Sequence, residues 1–385
     1  MKKLITFSTI AYLLFAINSS AIGQSSDEKI LKIGVLLPLS GKFQNIGESF
    51  LKSIQLALYE IENKNIKIFP KDSKANGFDS YNAAKEFEKN GIKIVLGPIF
   101  FESLERLNEV DKVTFISFTN QTHKTAKNII AFGININSQV KVLKEYLNKI
   151  QSSKTLLLAP KSNFENQVKD IENSEIKFYK TFLYNNNPNK LTAEIEKLTN
   201  YRERKKDLER RINILKKSDL DKDKNELEML ELRHTLGKVK FDSVLIVDFE
   251  ESLKSVLTSF EFVDVSKDNV KFYTVNQWFD ETLFKENALQ DLHFPSINLK
   301  NLEKFRKKYK KVYGQNPNKV SILAYDALGL IYYCWINNNN NFKTDYLYNK
   351  DGFKGLNGQF IIQNNGTSHQ LKIYKISDDR FIEIY

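Results

Sequence analysis

The residue types that most often carry out chemistry in proteins are scarce in this chain. Its 385 residues include one cysteine and four histidines, and the histidines show none of the spacings of a zinc-binding motif. Cys334 stands in an apolar, aromatic run, where a thiol is an inert hydrophobic side chain. No serine has the Gly-x-Ser-x-Gly surroundings of a hydrolase nucleophile. We therefore expect no catalytic residues, no metal and no cofactor.

One loop near the start bears some likeness to a phosphate-binding loop, because Gly41 and Gly47 enclose a short polar stretch. A phosphate-binding loop has a lysine directly after its second glycine, whereas Glu48 stands at that position here. An acidic side chain repels a phosphate, so we do not expect anion binding at this loop. The sequence favours a binding function over an enzyme.

The same loop lies between a predicted strand and a predicted helix. Residues 33–37 are largely apolar without the alternation of a half-exposed strand, which is typical of a parallel strand covered on both faces. Pro38 ends the strand, and residues 48–62 repeat apolar side chains at the spacing of an amphipathic helix. Ligands of open α/β sheets bind outside the carboxyl ends of the strands, so residues 39–47 are the first place to look for function.

The strand-loop-helix pattern repeats and then restarts near residue 155. Such alternation predicts a parallel, doubly wound sheet, and its restart predicts two similar α/β lobes joined by a hinge. The alternating residues 360–385 predict antiparallel edge strands. The other predicted strands are 65–69, 92–96, 113–117, 155–160, 176–182, 244–248 and 270–275, and predicted helices include 81–90, 102–110 and 138–150.

Residues 191–236 differ from the rest because they are highly charged and contain neither glycine nor proline. Leucines recur at heptad spacing, as at Leu208 and Leu215 and again at Leu220 and Leu227. This pattern predicts a helical hairpin inserted into the second lobe. Two interpretations stay open: a solvated extension that packs on itself, or a docking arm for another protein.

The first 23 residues are predicted to be a secretory signal peptide. Lys2 and Lys3 precede an apolar segment, residues 4–17, that is too short to span a bilayer comfortably. A single cysteine excludes an intrachain disulfide, and no cysteine lies near the cleavage region to carry a lipid anchor. We expect a periplasmic protein with no lipid anchor and no transmembrane segment after signal cleavage.

The formal net charge of +11 is spread along the chain rather than concentrated in one segment. The most basic predicted helix carries Phe305, Tyr309 and Val312 on one face and lysines on the others. This arrangement favours a core stripe with a solvated basic face. Together with the exported location, it gives no reason to expect a nucleic-acid partner.

Several stretches resemble type I periplasmic solute-binding proteins of the leucine/isoleucine/valine-binding group. In order they are residues 33–41 (IGVLLPLSG), 94–98 (IVLGP), 115–119 (FISFT), 324–327 (AYDA) and 355–360 (GLNGQF). The resemblance covers nearly all of the mature chain except residues 191–236. It implies a type I periplasmic binding protein fold, with two α/β lobes, three hinge crossings and a ligand clamped between the lobes.

One branch of this group is more similar, the penicillin-binding protein activators, which act on peptidoglycan synthases. The Leu96-Gly97-Pro98 loop and the charged insertion before residues 241–245 (FDSVL) resemble that branch. Activators of this kind are often lipoproteins with an added helical-repeat domain, and this chain shows neither feature.

With the resemblance, we expect residues 30–150 and 276–342 to form an N-terminal lobe. Residues 151–275 and 343–385 are expected to form a C-terminal lobe that carries the insertion at 191–236. The leading function is binding of a small polar, amino-acid-like ligand for an ABC transporter. The alternative is an activator-like regulator or scaffold of peptidoglycan synthesis that acts through protein contacts with a synthase.

The family binds the carboxylate of a free amino acid with hydroxyl and backbone N–H donors and its ammonium with an acid. The ligand-binding positions that the resemblance implies are Phe100, Phe101, Ser117, Thr119, Asn120, Asn163, Phe164, Asp248 and Trp278. Phe100 and Phe101 replace hydroxyl-bearing residues, which removes carboxylate donors. Alternative roles stay open: aromatic packing between lobes for the two phenylalanines, a helix cap for Asp248 and a turn for Ser117.

Overall fold

We analysed a computed structural model, which describes residues 29–122, 126–161, 165–174, 176–185, 187–218, 220–363 and 366–385. The predicted signal peptide lies outside the described residues. Strands and helices alternate along the chain. The strands are β1 (Leu31–Leu37), β2 (Ile66–Asp72), β3 (Ile94–Leu96), β4 (Thr114–Ser117), β5 (Ile129–Ala131), β6 (Thr155–Pro160), β7 (Lys180–Tyr184), β8 (Ser243–Ile246), β9 (Lys271–Thr274), β10 (His293–Ser296), β11 (Phe353–Gly355), β12 (Gly358–Gln363), β13 (Gly366–His369), β14 (Lys372–Ser377) and β15 (Arg380–Glu383).

Ten α-helices connect or cover these strands in the described part of the chain. They are α1 (Gln44–Ile61), α2 (Gly77–Lys89), α3 (Ile136–Lys149), α4 (Glu165–Glu172), α5 (Pro188–Leu198), α6 (Tyr201–Leu215), α7 (Asp221–Glu231), α8 (Glu250–Phe262), α9 (Leu299–Tyr313) and α10 (Ile322–Ile336).

Each lobe is built on one sheet. The first sheet has the strand order β11-β12-β13-β5-β4-β3-β1-β2, and the second has the order β15-β14-β10-β9-β8-β6-β7. Strands β1 to β5 run parallel in the first sheet, as do β6 to β10 in the second. The central strands are almost fully buried, as expected for parallel strands with helices on both faces. The predicted two-lobed, doubly wound fold is confirmed.

The start of α1 packs tightly against the loop after β1. A Cβ atom built on Gly47 would lie 1.9 Å from the carbonyl oxygen of Pro38, so only glycine fits this position. Further along α1, the Ser53 hydroxyl lies 3.0 Å from that of Ser321, just before α10. These contacts fix the first loop relative to the core of its lobe.

The lobe boundaries differ from the expected ones near the end of the chain. Strand β10 lies within 276–342, the segment expected in the N-terminal lobe, yet it pairs with β9 and β14 of the second sheet. Strands β11 to β13 were expected in the C-terminal lobe but join the first sheet beside β5. The chain returns to the first lobe after β10 and crosses back between β13 and β14, and no break in the sequence pattern marks either crossing.

The prediction of a helix over residues 102–110 is wrong. That segment contains two short 3-10 turns, Phe101–Leu104 and Leu107–Glu109, and Arg106 between them adopts a left-handed backbone with φ of 66°. The left-handed residue interrupts any continuous helix. The predicted strand at 176–182 also begins later, at Lys180.

The charged insertion is divided into two parts. Helix α5 packs against α8, and its Leu191 and Ile195 lie in the main core of the lobe. Helices α6 and α7 instead form a hairpin with a small core of their own, built on Leu208, Leu215 and Leu230. We call α6, α7 and their connection, residues 201–231, the arm.

Helix α10 is almost wholly apolar. Together with the turn before it, Lys319–Ile336 is the one stretch within the described residues that is long and apolar enough to cross a membrane by length and composition. In the fold it packs along α1, and 61% of it is buried, as in the core helix of a globular lobe.

A buried histidine lies where the chain crosses between the lobes. His369, the last residue of β13, contacts the Phe132 carbonyl oxygen through its Nε2 atom at 3.0 Å. Its backbone N–H donates to the Ser138 hydroxyl at 3.0 Å. Burial lowers the pKa of His369 to about 4, and the bond to the Phe132 carbonyl offsets only part of that effect.

This histidine makes the stability depend on pH. The unfolded chain takes up a proton near pH 6.5 and the folded chain only near pH 4, so stability is lost as the pH falls through this range. We expect His369→Gln to remove about 2 kcal/mol of the stability loss between pH 7 and pH 5. Urea unfolding at both pH values measures this loss, with exposed His234→Gln as the control. An unchanged pH dependence in His369→Gln contradicts the prediction.

Candidate functional site

The loops at the carboxyl ends of the strands form the candidate binding region, which we call the cleft edge. In the first lobe it comprises the loops after β1, β3 and β4, and in the second lobe the loops after β8 and β9. Lys319, next to α10, links the lobes because its Nζ donates to the Phe279 carbonyl oxygen at 2.8 Å. Burial lowers the pKa of Lys319 below its usual value.

The loop after β1 is held by an acid at the end of β2. Asp72 accepts hydrogen bonds from the Leu39 backbone N–H at 2.8 Å and from the Ser40 hydroxyl. Partial burial alone would raise the pKa of Asp72, but these bonds and one from the Lys74 N–H lower it below its usual value. The hydroxyl of the first loop is therefore used to fix the loop itself.

Phe100 and Phe101 do not act as a pair. The ring of Phe100 packs on Phe43 of the first loop, with 4.5 Å between ring centroids. Phe101 instead packs against a separate apolar cluster that includes Leu104 and Ile129. Phe100 therefore contacts another loop of the cleft edge.

Ser117 fixes the protein's own backbone. Its hydroxyl donates to the Pro98 carbonyl oxygen at 2.9 Å and accepts from the Thr119 N–H at 3.3 Å. Thr119 is buried, and its hydroxyl oxygen accepts from the Gln121 N–H at 3.2 Å. Asn120 is exposed beside them. Ser117 thus ties the loop after β4 to the loop after β3.

Asp248 lies in a buried cluster within the second lobe. Its carboxylate accepts hydrogen bonds from the Tyr184 hydroxyl, the Ser252 hydroxyl and the Phe249 N–H. It therefore joins the end of β7 to the start of α8. Burial, and secondarily the bond to Asp248, raises the pKa of Tyr184 far above its usual value. Sequence reasoning missed Tyr184, because no local motif marks a tyrosine at a strand end as the partner of an acid 64 residues away.

Trp278 follows β9 in a left-handed backbone with φ of 48°, and its N–H donates to the Asn276 side-chain oxygen at 2.9 Å. The same oxygen accepts from the Ser296 hydroxyl at 2.8 Å. The Nδ2 atom of Asn276 is buried and has no hydrogen-bond partner among the described residues. Asn276 is a second residue that sequence reasoning missed, and its amide is a free donor beside the hinge.

The other two candidate positions, Asn163 and Phe164, lie outside the described residues. The remaining seven all lie in loops at the cleft edge or beside it, but the two groups best suited to an amino acid, Ser117 and Asp248, already have partners within their own lobes. Within the described ranges, no group of three or more histidine, cysteine or acidic residues is placed to hold a metal ion.

Comparisons with known proteins agree on the fold. Residues 30–178 match the model of a family described as periplasmic binding protein. A search of curated proteins gave no significant match. The two-sheet architecture is that of type I periplasmic binding proteins.

Solved structures with this fold include both regulators and binders of amino acids. The C-domain of LpoA from Haemophilus influenzae, a regulator of PBP1A, has a TM-score of 0.62 at 14% identity, covering 92% of this chain and 100% of that domain. This chain spans 59% of full-length LpoA. LivJ from Streptococcus pneumoniae, in complex with isoleucine, has a TM-score of 0.56 at 15% identity, covering 92% of this chain and 100% of LivJ. An ABC transporter substrate-binding protein from Desulfitobacterium hafniense has a TM-score of 0.62 at 14% identity, covering 92% and 99%.

Proposed function

We propose that this chain, which has the fold of type I periplasmic binding proteins, regulates a peptidoglycan synthase in the periplasm through protein contacts. The observation that carries the proposal is the state of Asp248, whose carboxylate is bonded to Tyr184, Ser252 and the backbone of Phe249. Three of the roughly four acceptor positions of this carboxylate are thus used within the lobe, which leaves little capacity for a ligand ammonium. The fold alone does not distinguish a regulator from an amino-acid binder, since LpoA and LivJ share it.

Contacts in the first lobe also favour a regulator over a binder of free amino acids. The Ser117 hydroxyl donates to Pro98, and Phe100 occupies a position where the family has a hydroxyl-bearing residue. The Phe43–Phe100 contact puts apolar surface at this loop of the cleft edge. A ligand carboxylate needs hydrogen-bond donors there, and burying it against two phenyl rings is unfavourable.

The arm is the part of the chain that we assign to partner binding. It leaves apolar side chains in solvent: Ile214 is 61% exposed, Leu220 66% and Met229 60%. Its own core contains only three buried leucines. An arm that served only as packing for its lobe would turn such side chains inward, since buried apolar area stabilises a fold by about 25 cal/mol per Å².

Deleting the arm tests this function. We expect replacement of residues 201–231 by a short Gly-Ser linker to weaken binding to a bifunctional peptidoglycan synthase at least about tenfold, the loss of about 1.4 kcal/mol of contact energy. Surface-immobilised synthase from the same organism measures the affinity, and synthase turnover measures regulation. The variant Glu251→Ala, exposed on α8, is the control. Undiminished binding without the arm, or no binding by the intact chain, refutes the proposal.

The second candidate function is binding of a small polar ligand for an ABC transporter. The buried Asn276 Nδ2 atom without a partner among the described residues favours it, because such a donor normally has an acceptor. A ligand present at a hundred times its Kd stabilises the fold by about 2.7 kcal/mol. A thermal-shift screen against amino acids, amides, short peptides and muropeptides measures this effect, and a shift lost in Asn276→Ala supports the second function.

A further inference from the structure

A groove separate from the cleft edge lies between α10 and the β11–β12 hairpin. Its cavity volume is about 560 Å³. One face of α10 forms one wall, through Tyr325, Gly329, Tyr333 and Ile336 at the three- and four-residue steps that line up on a helix. Phe353 of β11 lies on the other wall, with its ring centroid 5.9 Å from that of Tyr333.

Gly329 leaves the middle of the groove open. A Cβ atom at this position would meet no other atom within 4 Å. Glycine inside a helix costs about 1 kcal/mol relative to alanine, so this residue opens space at the expense of helix stability. Tyr333 is 53% exposed and Ile336 45% exposed, so apolar surface reaches the mouth of the groove.

The groove borders an open sheet edge. Strand β11 is the outermost strand of the first sheet and pairs only with β12. Alternate residues of an antiparallel strand direct their N–H and C=O groups away from the partner strand. Among the described residues, no further strand pairs with that free side of β11.

Hydrogen bonds between α10 and the hairpin fix the shape of the groove. Asp326 of α10 accepts hydrogen bonds from the Leu356 and Asn357 N–H groups in the hairpin turn, both at 2.7 Å. A Cβ atom on Gly355 would come within 2.5 Å of the Asp326 carboxylate, so the turn lies directly on that acid. The distance between helix and hairpin is therefore set before anything binds, which lowers the entropic cost of binding.

We propose that this groove binds an extended peptide segment of a partner protein, which adds a strand beside β11 and places apolar side chains against Gly329. The sheet edge supplies main-chain hydrogen bonds, and the groove accepts every second side chain. The twelve residues from Tyr325 to Ile336 span about 16 Å along α10, the length of about five extended residues. Lys354, exposed and without an ion-pair partner in the described part of the chain, favours an acidic residue beside the apolar ones.

Filling the groove tests the proposal without disturbing the fold. The probe is a display library of octapeptides that alternate apolar and polar residues, selected on the full chain. We expect the selected peptides to bind Gly329→Leu at least about tenfold more weakly than the natural chain. Gly329→Ala adds only one methyl group and is the matched control, with binding retained within about threefold. Both variants should keep or raise the thermal midpoint, since both remove a helix glycine. Failure to select any peptide, or equal binding by Gly329→Leu, overturns the proposal.

A second measurement distinguishes strand pairing from simple apolar insertion. The best peptide is synthesised with backbone N-methyl groups on either its odd or its even residues. In strand addition only one edge of the peptide pairs with β11, so N-methyl groups on that edge block its N–H donors. We therefore expect one isomer to bind like the parent peptide and the other to lose at least about tenfold in affinity. Equal affinities of the two isomers overturn the strand model. The groove lies outside both the arm and the cleft edge, so this result does not depend on the proposed function.

Discussion

Arg204→Met is expected to release the arm from the second lobe. Arg204 is only 7% exposed, and its guanidinium lies among backbone and hydroxyl oxygens. It donates to the Thr199 and Val263 carbonyl oxygens at 3.0 and 2.6 Å and to the Thr235 hydroxyl at 2.9 Å. Methionine fills similar volume but donates no hydrogen bond, so these three acceptors lose a buried charged donor. We expect this loss to lower the free energy of unfolding by about 3 kcal/mol or more. The arm contains many lysines and arginines, so the rate of tryptic cleavage within residues 201–231 reports its release.

Arg211→Met in the same helix is the control. Arg211 pairs with Glu226 across the arm, but both side chains are partly exposed, at 40% and 35%. Exposed ion pairs contribute about 0–1 kcal/mol, so we expect little change in cleavage. If Arg204→Met and Arg211→Met are cleaved at the same rate, Arg204 does not anchor the arm. Reduced synthase binding by Arg204→Met alone would further support the arm as the contact surface.

Asp248→Ala is expected to destabilise the second lobe by about 3 kcal/mol or more, because it leaves the buried Tyr184 hydroxyl without its acceptor. The expected effect is a loss of folding stability rather than a loss of ligand affinity. Urea unfolding measures it. Tyr184→Phe removes the donor and keeps the acid with its bonds from Ser252 and Phe249, so its cost should be about 1 kcal/mol.

The pair of variants also distinguishes the two candidate functions. If Asp248 binds a ligand ammonium, Tyr184→Phe frees part of the carboxylate and should raise ligand affinity, while Asp248→Ala abolishes it. If the acid is structural, neither variant changes synthase binding under conditions in which the lobe stays folded. Exposed Glu251→Ala is the control for both measurements. A ligand affinity that falls in Asp248→Ala at full stability contradicts the structural assignment.

The fold was predictable because its signals are local. Residues 33–37 are apolar on both faces of β1, and the helical period of α1 follows within a few residues. The return of the chain to the first lobe after β10 was not predictable, since residues 293–296 (HFPS) and 353–355 (FKG) are short and each carries a single phenylalanine. β10 joins the second sheet by pairing with β9 and β14, whereas β11 joins the first sheet through β12 and β13, and β13 pairs with the distant β5.

The strand-end positions of the candidate residues were predictable from the sequence, but their hydrogen-bond partners were not. Ser117 ends β4 and Asp248 closely follows β8, as a strand-end pattern requires, yet the sequence does not show that Pro98 and Tyr184 are their hydrogen-bond partners. Similarly, Phe100 and Phe101 are adjacent in sequence and contact different clusters, because Phe100 is in extended backbone whereas Phe101 begins a 3-10 turn. The predicted ligand role of these residues stays a prediction.

The order in which the strands join the two sheets has a consequence for biosynthesis. Strands β11 to β13 complete the first sheet and β14 and β15 complete the second, and all five lie within the final segment from Phe353 to Glu383. Domains of nascent chains usually fold one after another from the amino terminus. Here neither lobe has its full set of strands until residues 353–383 have been synthesised. A premature stop before residue 353 therefore damages both lobes at once.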